Sequence, residues 1–197
     1  PEALDAARAR AGWQRLTLQA GRLRQPGGAT LDLSAIAKGF AVDQIARLLH
    51  ARGFGDHLVE VGGELRGSGV RPDGQPWWVD LQLPPGAEGL PGTRVALHGL
   101  AVATSGDYLR HFSDEGVSRS HTLDPRTGGP ITHGLASVSV LHAECVLADA
   151  WSTALTVLGI EHGLACARER GLAALFVQRT SRGFVERLSP ALEAMAA

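Results

Sequence analysis

The stretch from Leu31 to Gly67 reads LDLSAIAKGFAVDQIARLLHARGFGDHLVEVGGELRG, and its hydrophobic period changes partway along. From Ile36 to Leu49 the apolar residues Ile36, Phe40, Ile45, Leu48 and Leu49 recur close to helical spacing, and Gly53 follows as a stop signal. His57 to Val61 and Glu64 to Gly67 then read as short strands. The expectation is a helix that lays this stripe on a sheet. Gly62 to Gly69 lacks both Gly-Lys-Ser/Thr and the GxGxxG register, so the glycine pair reads as a tight hairpin rather than a phosphate loop.

Working outward, Glu2 to Ala11 is helical in pattern, and Trp13 to Leu18 alternates like a half-buried strand before the Pro26-Gly27-Gly28 turn. Beyond Gly67, strand-like runs at Trp77 to Leu83, Arg94 to Leu97 and Leu100 to Ala103 extend an antiparallel meander. Val117 to Leu123 and Ala136 to Leu141 add strands, and two helices follow at Val146 to Leu158 and Glu161 to Arg170, the second ending at Gly171. Leu172 to Gln178 and Phe184 to Leu188 form a closing hairpin, and Pro190 sits at the first turn of a last helix. The class is α+β, with residues 1–197 read as one domain and no internal repeat or linker.

Composition narrows the function. Nineteen basic against twenty acidic residues, with no Lys/Arg run interleaved with aromatics, leave no electrostatic footprint for nucleic acid. No stretch approaches the roughly 18 apolar residues that span a bilayer, and the start at Pro1 carries no export signal. Cys145 and Cys166 lie far apart without CxxC spacing, so they read as buried or idle thiols.

Three segments concentrate residues that carry chemistry. In Leu31 to Asp43, Asp32 and Ser34 precede a helix whose free N–H groups they can cap, and Lys38 in the first turns adds a charge suited to a phosphate. Gly39 inside that helix costs about 1 kcal/mol relative to alanine and marks close approach of something else. In Ala148 to Thr153, Asp149 and Thr153 stand four apart on one helical face, two hard oxygen donors of the kind Mg²⁺ prefers. Ala103 to Tyr108 and Ser120 to Pro130 are dense in small polar residues and suggest loops shaped around a ligand. His121 is the candidate proton acceptor there, with Asp107 or Asp124 to orient it, although Asp124-Pro125-Arg126-Thr127-Gly128 also suits a simple turn.

Taken in order, LDLSAIAKGFAVD, VGGELRGSG, ATSGDY, SHTLDPRTGGP and ADAWSTAL resemble the ApbE-type FAD:protein FMN transferases. The resemblance implies a T-fold-like α+β domain, with an antiparallel sheet and packed helices, that binds FAD with Mg²⁺. It would join FMN to a Thr or Ser hydroxyl of an acceptor protein and release AMP. By position, Asp32, Lys38, Thr104, Ser105, Gly106 and His121 fall among the FAD-binding residues. Ala35, through its carbonyl, Asp149 and Thr153 fall on the metal ligands, and His121 on the catalytic histidine. Rival readings of the same site are an FAD pyrophosphatase giving FMN and AMP, and a flavin carrier without catalysis. Members of this family usually carry a substantial part before the first block, where only about thirty residues precede Leu31 here. That part is expected to be absent. Similar proteins are often anchored in the cell envelope, and acceptors of the electron-transport type are expected.

Overall fold

The computed structural model describes residues 2–108, 111–114 and 117–195. Helix α1 (Glu2–Arg10) is followed by a 3₁₀ turn at Trp13–Arg15, strands β1 (Thr17–Gln19) and β2 (Arg22–Arg24), helix α2 (Ala37–Ala51), β3 (His57–Val61) and β4 (Glu64–Ser68). Next come β5 (Trp77–Asp80), β6 (Arg94–Leu97), β7 (Leu100–Gly106), β8 (His111–Asp114), β9 (Val117–Ser120) and β10 (Leu135–His142). The chain closes with α3 (Cys145–Arg170), β11 (Ala173–Thr180), β12 (Gly183–Leu188) and α4 (Pro190–Met195).

A six-stranded antiparallel sheet, in the order β12-β11-β10-β7-β4-β3, organises the rest. Its central strands are buried on both faces, which is why β11 reads as a continuous apolar run rather than an alternating one. Ala174 and Phe176 join Val138, Val140 and Leu155 under α3. Ala173, Leu175 and Val177 point the other way, to a second core with Val95, Leu97 and Leu192 beneath the β5-β6 ribbon and α4. The meander is therefore interrupted: β5 and β6 leave the sheet to cover its second face, and β4 pairs directly with β7.

Local geometry follows the residues. Gly62 and Gly63 both take positive φ, 60° and 98°, at the two-residue turn between Val61 and Glu64, the hairpin expected of that pair. Gly159 takes φ 75° and ψ 178° and breaks α3, so the two helices expected there are two helical arms meeting at a non-helical residue.

Two expectations fail. Trp13 to Leu18 is not a half-buried strand: Trp13–Arg15 is a 3₁₀ turn, Trp13 and Leu18 are exposed, and β1 pairs only with β2. Alternation alone cannot show that a short ribbon lies off the sheet. The stripe assigned to α2 is also misplaced, because Ile36, Phe40, Ile45 and Leu48 are exposed while Gly39, Val42, Asp43 and Ala46 are buried. The buried set keeps the i, i+3, i+4, i+7 spacing but consists of small residues and one carboxylate, since α2 packs tightly against α3 as well as the sheet.

Gly39 explains how close that packing is. A Cβ there would lie 2.4 Å from the Cys145 carbonyl oxygen, a backbone atom that cannot swing aside. Gly39→Ala is expected to destabilise the fold by about 1–3 kcal/mol, the range for overpacking. Denaturant unfolding with an unchanged midpoint would show that the helices separate without cost.

Candidate functional site

The site is built where the first turns of α2 and α3 meet. Neither helix has a side-chain cap from its own N-cap residue, Ile36 or Glu144. Each takes one from the other. Asp149 of α3 accepts the N–H of Gly39 through Oδ2 at 3.0 Å. Asp43 of α2 accepts the N–H groups of Cys145 and Val146, both at 3.0 Å, and is held by Arg66 of β4. Asp32 does not cap α2 as its position suggested. It accepts the Ser34 N–H at 2.8 Å and closes a turn one step earlier, because the chain turns again through Ser34 to Ile36 before the helix begins at Ala37.

Over this junction lies a cavity of about 710 Å³, within the range of about 300–1,000 Å³ usual for ligand pockets. Asp32, Ser34, Ala35 and Lys38 line it from the start of α2, and Thr104, Ser105 and Gly106 line it from β7. Asp149, Thr153 and Val157 of α3 line it too, as do Thr122, Leu123 and the exposed His121. Asp32, Ala35, Lys38, Thr104, Ser105, Gly106, His121, Asp149 and Thr153, the residues singled out in the sequence, thus share one cavity. Ser105 Oγ lies 2.9 Å from both Ser152 Oγ and Thr153 Oγ1, tying β7 to α3, and Thr104 Oγ1 lies 2.7 Å from Ser139 Oγ of β10.

Charge here is concentrated and poorly solvated. Lys38 forms an ion pair with Glu64, whose carboxylate is buried and whose Oε2 has no hydrogen-bond partner. Burial pushes the Glu64 carboxyl above its usual range and Asp149 pushes it further, against the pull of Lys38. The Asp149 carboxyl is also raised by burial, partly offset by the Gly39 N–H and Lys38. Glu64 was missed in the sequence. A glutamate at a strand start after a glycine pair carries no mark of burial, and only its pairing across 26 residues with Lys38 sets it in the site.

The loop bearing His121 is a turn closed by a bridge between Leu123 and Pro130. Asp124 accepts the Arg126 side chain at 2.8–3.1 Å, and the guanidinium holds its carboxyl below the usual range. Arg126 also donates to the Val157 carbonyl at 3.3 Å, two residues before the break at Gly159. Asp107 is held by Arg179 at 2.6 and 2.7 Å. Both carboxylates considered as partners of His121 are therefore bound by arginines.

A hard cation fits this donor set in chemistry: Asp149 offers a carboxylate, Thr153 a hydroxyl and Ala35 a carbonyl, and two buried carboxylates supply the negative charge. Among the described residues no group of three or more His, Cys, Asp or Glu is arranged to hold a metal, so an ion here relies on neutral oxygens and on a ligand's own.

An antiparallel sheet, two helix starts and an oxygen-rich cavity define a candidate small-molecule site. The profile of the ApbE family matches residues 1–176, and the chain belongs to that family. A FAD:protein FMN transferase of Klebsiella pneumoniae is 38% identical over 194 residues, 96% of this chain and 55% of its own length. One of Haemophilus influenzae is 40% identical over 164 residues, covering 83% of this chain and 47% of its own length. The apo crystal structure of the Pseudomonas stutzeri flavinyl transferase ApbE superposes with a TM-score of 0.89 at 43% identity, over 98% of this chain and 60% of that one. The chain spans about half the length of the curated relatives it matches. Among the described residues no helix is long and apolar enough to cross a membrane.

Two outcomes test this geometry. Cys145 is buried beside Asp43, Glu64 and Asp149, and burial followed by those carboxylates pushes its thiol up to about 12. At pH 8 its thiolate fraction is then about one in ten thousand, so iodoacetamide is expected to leave native Cys145 unmodified. Mass spectrometry finding it alkylated before unfolding would contradict the burial. Arg126→Ala should free the 121–130 loop from α3, and faster amide exchange confined to that loop and the end of α3's first arm would report it.

Proposed function

We propose that this chain is a flavin transferase domain in which FAD lies in the cavity over the α2 and α3 starts, and its FMN half passes to a Thr or Ser hydroxyl of an acceptor protein. The observation that carries the reading is the sharing of one cavity by Lys38, Asp149, Thr153 and His121 in a member of the ApbE family. The acceptor oxygen attacks the phosphorus on the flavin side of the pyrophosphate. The bond from that phosphorus to the bridging oxygen breaks, AMP leaves with the electron pair, and the hydroxyl proton passes to His121.

The work of the side chains divides by position. Asp149, Thr153 and the Ala35 carbonyl would hold Mg²⁺, which neutralises charge on the pyrophosphate when bound. Lys38, steadied by Glu64, adds positive charge beside the phosphates. Asp32 and the Thr104-Ser105-Gly106 segment line the cavity where the cofactor is to be oriented. His121 lines the cavity and is exposed, so an acceptor segment can present its hydroxyl there.

Three variants separate these jobs. Asp149→Asn keeps an oxygen to cap Gly39 but loses the charge, so folding should survive while Mg²⁺-dependent FAD binding and turnover collapse. His121→Ala should leave FAD affinity nearly intact and slow transfer by roughly 10²- to 10⁴-fold, the contribution of a positioned base. Lys38→Ala should weaken FAD binding in calorimetry. The decisive measurement is mass spectrometry of a candidate acceptor after incubation with the chain, FAD and Mg²⁺. An FMN adduct with AMP supports transfer, FMN and AMP without adduct mean water is the acceptor, and no AMP makes the chain a carrier.

A further inference from the structure

The hydroxyls of Ser152, Ser105 and Thr153 are joined in a line, and the fixed end of that line decides which way each one points. Ser152 of α3 is fully buried and donates its hydrogen to the Asp149 carbonyl at 2.9 Å. Ser105 Oγ of β7 lies 2.9 Å from Ser152 Oγ and 2.9 Å from Thr153 Oγ1. Ser105 and Thr153 line the cavity. Thr153 is used differently from Thr156 one turn on, whose hydroxyl turns back to the Ser152 carbonyl at 2.8 Å as a helical threonine ordinarily does.

Each hydroxyl has one hydrogen to give. A carbonyl only accepts, so Ser152 gives its hydrogen to Asp149 and can meet Ser105 only as an acceptor. Ser105 therefore donates to Ser152 and can meet Thr153 only as an acceptor. Thr153 then donates to Ser105. With three contacts and three hydrogens, this is the one arrangement in which every contact is a hydrogen bond. Thr153 Oγ1 is left with lone pairs and no hydrogen for a ligand in the cavity it lines. Such an oxygen suits a cation and not a phosphate oxygen, which needs a donor.

We propose that Ser152 and Ser105 are positioning residues for the cation site: their relay holds the Thr153 hydroxyl with its hydrogen turned to Ser105 and its lone pairs free for Mg²⁺. This role rests on Asp149, Thr153 and the Ala35 carbonyl being the cation's ligands, as proposed above. It goes further in giving Thr153 to the cation rather than to the pyrophosphate, and in giving a fully buried serine a part in metal binding. The relay ends on the peptide carbonyl of Asp149, so one chain of bonds joins the residues of both side-chain ligands. Removing a partner that orients a metal ligand in this way typically weakens metal binding by about 10- to 100-fold.

The affinity of the full chain for Mn²⁺, a paramagnetic stand-in for Mg²⁺, tests the relay. It is read from the loss of the free-ion paramagnetic resonance signal with saturating FAD, beyond the loss that FAD alone produces. Ser152→Ala is expected to weaken Mn²⁺ binding by about 10- to 100-fold. Ser105→Ala, at a half-buried position on the cavity, should do the same and carries the test should Ser152→Ala not fold. Thr153→Ser, which keeps the hydroxyl, should bind close to the parent. Thr153→Val removes it, and in that background Ser152→Ala should cost nothing further, because no hydroxyl remains to orient. Unchanged affinity in either serine variant, or an equal further loss in the Thr153→Val background, would overturn the relay and leave the metal site standing. A parent that takes up no Mn²⁺ overturns the metal site itself, and the relay with it.

Discussion

The exchange of caps between α2 and α3 is the constraint on which the rest of the structure depends. Asp43 satisfies the first N–H groups of α3, Asp149 satisfies one in α2, and all three bonds require the helix starts to lie almost in contact. Gly39 permits that approach, because any side chain there would meet the Cys145 carbonyl. The start of α2 then contributes Ala35, Ala37 and Lys38 to the cavity lining, and α3 contributes Asp149 and Thr153 from its second and third turns.

The sheet supports this junction by register. β7 is paired with β10 so that Ser105 faces Val138, and Ser105 then reaches Ser152 and Thr153 on the helix above. Arg66, opposite Ala101 on the neighbouring pair, secures Asp43 from below. The second face, covered by β5, β6 and α4, contributes burial but no group to the cavity. Polar side chains interrupt the apolar strands on both faces: Ser105 of β7 turns to Ser152 and Thr153 of α3, while Thr104 beside it pairs with Ser139 of β10.

Much of this was legible in the sequence, for physical reasons that differ by element. β3, β6 and the closing hairpin follow from apolar runs bounded by glycine and proline, and the break in α3 shows as a glycine between two helical periods. The ordered blocks brought the cavity-lining residues together, since each lies at an element end where loops and helix starts converge. What stayed hidden was pairing at long range. Periodicity put large apolar residues of α2 inward, whereas the tight crossing selects Gly39, Val42, Asp43 and Ala46. The Lys38 to Glu64 pair and the service of Asp43 to α3 span 26 and 102 residues, beyond anything local spacing encodes.

Asp43, Glu64 and Asp149, the buried carboxylates among the described residues, are not equally provided for, and the difference has a pattern. Asp43 has an arginine and two N–H donors, the full satisfaction expected of a structural buried charge. Asp149 has one N–H, and Glu64 has one lysine and an oxygen with nothing to bind. Burial raises both of these carboxyls, so their ionised forms carry an energy that the fold alone does not offset. The undersupplied pair lies beside the cavity and the satisfied one away from it. Positive charge delivered with a ligand relieves the first two and adds nothing to the third, which separates the residues that serve a ligand from the one that holds the helices.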